Sequence, residues 1–465
     1  MQIEMAIPVV DISRFVQQNS DTEGRRQVGI NNEIDDVDDD EENQVVASQW
    51  DEAFREHGFV VIIGHGVPSE LVTALESAMD TFFTGLSHDE KMLYNNGSYG
   101  TPLGGYSPLF TEAVAQSSSG IDGGGGGSDG VRSGIDAVES FAFTIHPLLF
   151  KARQMLSSSA PSSSSSSTVA ASRLMDCAAA YYTAVEQLLY LLHRISAYAL
   201  GLPHVNYIND HYQFNFTAGE RQGEGISSGN ALKLSHYPHV TPPSSQLSTS
   251  TSPLSGGEDK RDKVARYGAH TDFQGFTILR PDPRDWAADG AGGLEVLHAG
   301  TGTWLPVVLP SASEIRSRLR PRDNGEGPGP ASGDFALVVN AGDLIQRWTN
   351  DRWVSAVHRV SPRTHTHTDT STLSSTSVPV LREAPSASAS AAGRTAVVFF
   401  SGPRDDALVA VLPMRRRGQG ADKDEKDKEE DTVAAKYEPI RSGDHLLLKL
   451  RQMQPASHPA VPSVG

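Results

Sequence analysis

The stretch "RYGAHTDFQGFTIL", residues 266–279, places His270 and Asp272 two positions apart, ahead of an apolar, β-branched run. On an extended chain, side chains at i and i+2 point to the same face. Both groups can therefore be aimed into one space. A third ligand from a distant strand would complete the set, and "NDRWVSAVHRVS" offers His358 in a stretch of alternating polarity. Two imidazoles and one carboxylate on one side of a metal leave coordination positions open. That arrangement suits a non-haem Fe(II) ion that activates oxygen. No thiolate partners accompany these residues, which disfavours a structural zinc site.

The same three letters recur at His367, Thr368 and Asp369, inside "SPRTHTHTDTSTLSSTS". Nothing around that copy can build a core, and a loop without packing cannot hold ligands to the tolerance a metal demands. It reads as polar linker. The acidic run at 21–42 resembles a calcium loop only in charge, because it has no glycine at its sharp turn.

Ligands this far apart in the chain need a scaffold to bring them together. Residues 7–12 read as a short strand, 47–57 as a helix and 58–67 as a buried strand ending in a Gly-rich turn. A helix over 68–86 follows, with Ser69 as its expected cap, and a longer one over about 169–200 is stopped by Gly201-Leu202-Pro203. After about 205 the pattern changes to short β-type runs, among them "ALKLSHYPHV", "FTILRP", "GLEVLH", "FALVVNAGDLIQRWT", "VSAVHRVS" and "RTAVVFFSGP". The fold class expected is mainly β with flanking helices: an antiparallel jelly-roll core behind a helical N-terminal region. The expected organisation is an N-terminal region at 1–204, a β domain at 205–450 and a tail at 451–465. Low-complexity inserts fall near 19–46, 117–135, 156–168, 242–263, 320–333, 364–393 and 415–434. A last helix is expected in "SGDHLLLKLRQM".

The chain has 465 residues and a formal net charge of −18. Residues 21–42 carry ten acids against Arg25 and Arg26, so eight of those negative charges sit in one solvated insert. Such a balance argues against nucleic-acid binding. The single cysteine, Cys177, permits no internal disulfide and reads as an inert thiol in a reducing compartment. No membrane-length apolar run or basic signal region is present, so the expectation is a cytoplasmic monomer acting on a small molecule, with no membrane partner.

Read in order, "IPVVDIS", "GFVVIIGHGV", "ALGLP", "LKLSHYP", "GAHTDFQGFTIL", "GGLEVLHAGTGTWLPV", "NAGDLIQRWTNDRWVSAVHRV" and "YEPIRSGDHLLLKL" resemble the iron(II)/2-oxoglutarate-dependent dioxygenases, in their isopenicillin N synthase-like class. The pieces span nearly the whole chain, with large inserts between them. The resemblance implies that His270, Asp272 and His358 hold Fe(II), and that 2-oxoglutarate and O2 are co-substrates. It also implies an Arg-x-Ser pattern on a later strand, whose guanidinium would pair with the far carboxylate of 2-oxoglutarate. "GRTAVVFFSGP" supplies Arg394, and Arg382, inside a polar insert, is the rival. The serine of that pattern is Ala396 here, and Thr395 faces the other side of the strand. Tyr237 matches a family tyrosine near that end of the pocket and is the expected second donor. His65 reads as structural, Trp348 and Trp353 as packing, and for His236 and His239 a substrate-facing position stays open. The implied reaction is oxidation, foremost hydroxylation, of an unactivated C–H bond with release of succinate and CO2. Ala396 keeps a 2-oxoglutarate-independent oxidase in view. A non-catalytic jelly-roll binding protein and a zinc hydrolase are the readings from other classes.

Overall fold

The computed structural model describes residues 6–18, 41–95, 104–109, 111, 138–156, 165–214, 229–238, 267–282, 293–319, 335–361, 394–414 and 434–453. In chain order the strands used below are β1 (Val9–Asp11), β2 (Phe59–Ile63), β3 (Gly104–Ser107), β4 (Glu139–Phe143), β5 (Ala231–Tyr237) and β6 (Tyr267–His270). They continue with β7 (Phe276–Arg280), β8 (Gly293–His298), β9 (Thr303–Pro306), β10 (Leu337–Ala341), β11 (His358–Ser361) and β12 (Arg394–Phe400). The helices used below are α1 (Glu41–Glu56), α2 (Ser69–Phe83), α3 (Ser166–Leu200), α4 (Asp343–Trp348) and α5 (Ser442–Met453).

Eight strands form one sheet in the order β1-β2-β10-β7-β12-β5-β4-β3, and four form a second in the order β6-β11-β8-β9. Nearly all pairings are antiparallel; β1 with β2 is parallel, a departure from the all-antiparallel expectation. The two sheets enclose the jelly-roll interior and the helices cover the outer face of the larger sheet. Alternation along the strands shows this division. Phe276, Ile278, Val397, Phe399, Leu232 and Leu234 belong to the large core shared with α1, α2 and α3. Phe59, Val61, Val338, Leu294 and Val296 belong to the smaller core between the sheets.

α3 anchors the helical layer. Ser165 caps its start by accepting a hydrogen bond from the Thr168 amide, and Gly201, with φ of 62°, ends it in the left-handed conformation that glycine adopts without a Cβ clash. The helix therefore begins inside the Ser-rich stretch read as linker, because serines that fail to build a core still serve as caps. Ser69 does not cap α2: Pro68 occupies that position and makes no side-chain cap bond. In "FALVVNAGDLIQRWT" the strand stops at Ala341 and Asp343–Trp348 turns helical, so only the first part is β.

Candidate metal centre

His270 ends β6 and His358 begins β11, and the two are direct partners in the β6–β11 ladder. Their rings lie 4.2 Å apart between centroids. Asp272 joins them, with Oδ1 3.7 Å from His270 Nε2 and 3.9 Å from His358 Nε2. Among the described residues this trio is a group of side chains whose ligand atoms all fall within 4.8 Å of one another, and all three are buried.

The bonds these groups make elsewhere determine which atoms remain for an ion. His270 Nδ1 lies 2.8 Å from the Gly268 carbonyl and His358 Nδ1 lies 3.1 Å from the Ala356 carbonyl. A carbonyl only accepts, so each Nδ1 carries the proton and each Nε2 presents a lone pair. Asp272 Oδ2 accepts from Thr277 Oγ1 at 2.6 Å and from Asn340 Nδ2 at 2.6 Å. Its Oδ1 is the oxygen turned to the two Nε2 atoms. Two nitrogens and one oxygen, each held from behind, match the donor set expected for Fe(II), and the second partners fix orientation as they do in metal sites generally.

Burial and the neighbouring His358 ring hold His270 well below the usual imidazole range, against the pull of Asp272. Burial alone would raise the Asp272 carboxyl. The two imidazoles and the Thr277 and Asn340 hydrogen bonds outweigh it and keep the group ionised below its ordinary value. A neutral imidazole and a carboxylate are the forms that bind a cation.

Asp272 is not held by strand alternation, as the i, i+2 spacing suggests. β6 stops at His270, and Asp272 lies beyond it. Its carbonyl accepts from the Asp343 amide at 2.8 Å. Asp343 in turn accepts from Thr271 Oγ1 (3.2 Å), Ser355 Oγ (2.7 Å) and Lys449 Nζ (2.6 Å). The turn before α4 and the terminal helix α5 thus clamp the ligand loop. Gly275 belongs to the same device: a Cβ there would collide with Tyr212 Oη and Ser401 Oγ.

Arg394 and Tyr237 sit directly opposite each other in the β5–β12 ladder. Both are half-buried and share the face that alternates away from Leu232 and Leu234, which is the interior of the jelly roll. Thr395 pairs with His236 on the opposite face, and its amide donates to Asp282 Oδ2 at 3.1 Å. His236 faces away from the metal ligands. Its Nδ1 is 2.8 Å from Glu139 Oε1, while Lys91 Nζ (2.8 Å) and Tyr106 Oη (2.6 Å) meet Glu139 Oε2. His65 is structural: Nε2 faces the Phe335 carbonyl at 3.0 Å and Nδ1 accepts from the Val67 amide. Trp348 and Trp353 are fully packed, and Trp353 Nε1 donates to Asp51. Cys177 is half-buried at the edge of the large core. His239, Arg382 and the His367–Asp369 copy lie outside the described residues.

The sequence reading missed Thr277, Asn340, Asp343 and Lys233. Asn340 and Thr277 face each other across β10 and β7, a long-range pairing no local pattern reveals. Lys233 could have been found, because it alternates with Ser235 and Tyr237 on the inner side of β5.

Residues 7–148 match the family model described as non-haem dioxygenase in morphine synthesis, N-terminal. The 2-oxoglutarate-dependent dioxygenase caaD of Aspergillus niger is 39% identical over 98 residues, 21% of each chain. The 2-oxoglutarate-Fe(II) type oxidoreductase hxnY of Emericella nidulans is 26% identical over 318 residues, 68% of this chain and 69% of its own. Together these matches support the iron(II)/2-oxoglutarate-dependent dioxygenase superfamily. The chain's matches to the first curated relatives span about a fifth of their length. The solved structure of a full-length Neurospora crassa protein in complex with alpha-KG and thymine superimposes with a TM-score of 0.56 at 19% identity, covering 98% of this chain and 99% of that one. That likeness bears out the jelly-roll core with flanking helices. No helix among the described residues is long and apolar enough to cross a membrane.

Proposed function

We propose that this chain is an Fe(II)- and 2-oxoglutarate-dependent oxygenase that hydroxylates an unactivated C–H bond of a small organic metabolite. The observation that carries this reading is the buried trio of His270 Nε2, His358 Nε2 and Asp272 Oδ1, each backed by a hydrogen bond on its other atom. These three groups would hold Fe(II). The bound ion would supply oxygen activation coupled to conversion of 2-oxoglutarate to succinate and CO2.

The chain's own tasks are placement and exclusion. Arg394 and Tyr237 would bind the far carboxylate of 2-oxoglutarate, the guanidinium by a two-point match and the phenol as a further donor. Phe59, edge-on to the His358 ring at 5.2 Å, and the apolar side chains Leu294 and Val296 keep water from one side of the centre. A second reading, an oxidase that takes all its electrons from the substrate, is favoured by one feature only, Ala396 in place of the expected serine. The facing Arg394–Tyr237 pair supports the 2-oxoglutarate reading. The full chain acts alone in this proposal, as a monomer in the cytoplasm.

The test is reconstitution without oxygen, followed by addition of 2-oxoglutarate and O2. Expected are one bound Fe(II) per chain and succinate release that His270→Ala abolishes. Wild-type protein that binds no more Fe(II) than the His270→Ala variant refutes the site. Iron binding with substrate oxidation but no succinate selects the oxidase.

A further inference from the structure

Just after α4 the chain places two consecutive residues in the left-handed region, Asn350 with φ of 56° and Asp351 with φ of 63°. Among the described residues these two are the non-glycine positions with positive φ. Glycine adopts that conformation freely. Asparagine and aspartate tolerate it best of the rest, at a cost their surroundings must offset. The offset at Asp351 is visible. Its Oδ1 accepts from Tyr437 Oη at 2.6 Å and from Gln346 Nε2 at 3.2 Å, and its Oδ2 meets Lys436 Nζ at 2.9 Å. Asn350 grips the same segment: Oδ1 accepts from the Lys436 amide at 2.9 Å, and Nδ2 donates to the Ala434 carbonyl at 3.2 Å. Residues 434–437 thus lie as a strap across the turn, ahead of α5.

The other side of the turn faces the metal ligands. Gln346, whose amide nitrogen donates to Asp351, accepts from the Ser355 amide through Oε1 at 2.7 Å. With both ends of its side chain engaged, Gln346 is a fixed link. Ser355 Oγ donates to Asp343 Oδ1 at 2.7 Å, and the Asp343 amide donates to the Asp272 carbonyl at 2.8 Å. Ser355 also adjoins Ala356, the residue whose carbonyl accepts from His358 Nδ1. One network therefore reaches two of the three proposed ligands. Burial would raise the Asp351 carboxyl, but the bonds from Tyr437, Lys436 and Gln346 outweigh it and hold the group below the usual carboxylate range. An ionised acceptor makes each of those bonds charge-assisted. Glycine at 351 would suffice if the turn served only to reverse the chain.

We propose that Asp351 is a positioning residue for the metal centre: its carboxylate holds Gln346, and through Gln346 and Ser355 it sets the approach of His358 and Asp272 to the ion. The inference rests on the metal-site reading above. The strap belongs to the same device, because Tyr437 and Lys436 supply two of the three bonds to that carboxylate.

The experiment titrates the full chain with Co(II) without oxygen and follows the visible absorption, which reports the geometry of the ligands. Urea unfolding of the metal-free protein measures stability separately. Asp351→Gly gives the turn its preferred residue and removes the carboxylate. Expected are a roughly tenfold rise in the Co(II) Kd and an altered visible spectrum at saturating metal. Asp351→Asn keeps an acceptor for Gln346 on a residue that tolerates the turn, and should return the Kd to within about twofold of wild type. Gln346→Leu should reproduce the loss seen in Asp351→Gly. Wild-type Kd and spectrum in Asp351→Gly, whatever its stability, overturn the inference and leave the metal site standing, because the carboxylate then supports the turn alone. A loss in Asp351→Gly that Gln346→Leu does not share also overturns it, because the effect would not pass through Gln346. Wild-type protein that binds no Co(II) removes the metal site, and this inference falls with it. If Asp351→Gly does not fold, Gln346→Leu decides: a raised Kd and altered spectrum uphold the inference, and wild-type values overturn it.

Discussion

Thr277→Val should weaken the metal site without dismantling the fold. The substitution keeps the shape of the side chain and removes the hydroxyl that donates to Asp272 Oδ2 at 2.6 Å. The acceptor is a buried carboxylate, so the lost bond is charge-assisted, and such bonds contribute about 1.5–3 kcal/mol. Asn340 still donates to the same oxygen at 2.6 Å, so the carboxylate keeps one of its two tethers. The lower end of the range is therefore the better guide, which corresponds to roughly a tenfold rise in the Kd for Mn(II) or Co(II). Removing both tethers, with Thr277→Val and Asn340→Leu together, should cost more than the sum of the single losses. The carboxylate would then be free to rotate Oδ1 out of line with the two Nε2 atoms. Calorimetric metal titration measures the effect, and urea unfolding of the metal-free protein gives the stability baseline. A Thr277→Val protein with wild-type metal affinity and reduced stability would refute the reasoning. It would mean that the hydroxyl supports packing and that Asp272 is aimed by its backbone alone.

Asp272→Ala and His358→Ala should each abolish both metal retention and succinate release, as read by metal analysis and product assay, with little change in the folded-state circular dichroism. Ala396→Ser restores a hydroxyl beside Arg394 and should lower the KM for 2-oxoglutarate by roughly tenfold, from about 1.5 kcal/mol of one added charge-assisted bond; an unchanged KM would show that Tyr237 or Ser235 already fills that place. Burial lowers His65 to about 4 and His193 to about 3 from an ordinary 6.5. The unfolded chain therefore binds protons that the folded chain refuses, and stability should fall as pH drops from 6.5 toward 4, by roughly 3 kcal/mol for His65 alone. His65→Gln should flatten that slope in urea titrations across the same window. Lys449→Met, which releases Asp343 from α5, should raise the metal Kd severalfold, and no change would show that the terminal helix does not steady the ligand loop.

What could be read from the sequence follows a physical division. Periodic and local signals survived: the alternating runs became strands and Gly201 ended α3. His358 was legible because an alternating stretch late in the β region is where a jelly roll returns to its starting sheet, and the ladder does pair it with His270. The missed parts are contacts between segments with no local mark. Asn340 reaches Asp272 across 68 positions and Lys449 reaches Asp343 across more than a hundred. Their residue types are ordinary, and only the register of β10 on β7 and the docking of α5 give them a role.

The two faces of β5 carry the same lesson into function. Leu232, Leu234 and His236 point to the helices, where His236 joins a buried cluster with Glu139, Lys91 and Tyr106. Lys233, Ser235 and Tyr237 point into the barrel. A slip of one residue in the register of β5 against β12 would exchange the two sets, bringing His236 and two leucines to the proposed co-substrate site and turning Lys233 into the helical core. The outer cluster penalises that slip, because Glu139 would lose its imidazole partner and keep its charge in a dry place. Glu139 does not approach the metal ligands, yet it guards the face on which Lys233 and Tyr237 appear. Replacing it by leucine should loosen that register, and with it the placement of every inner-facing group on β5.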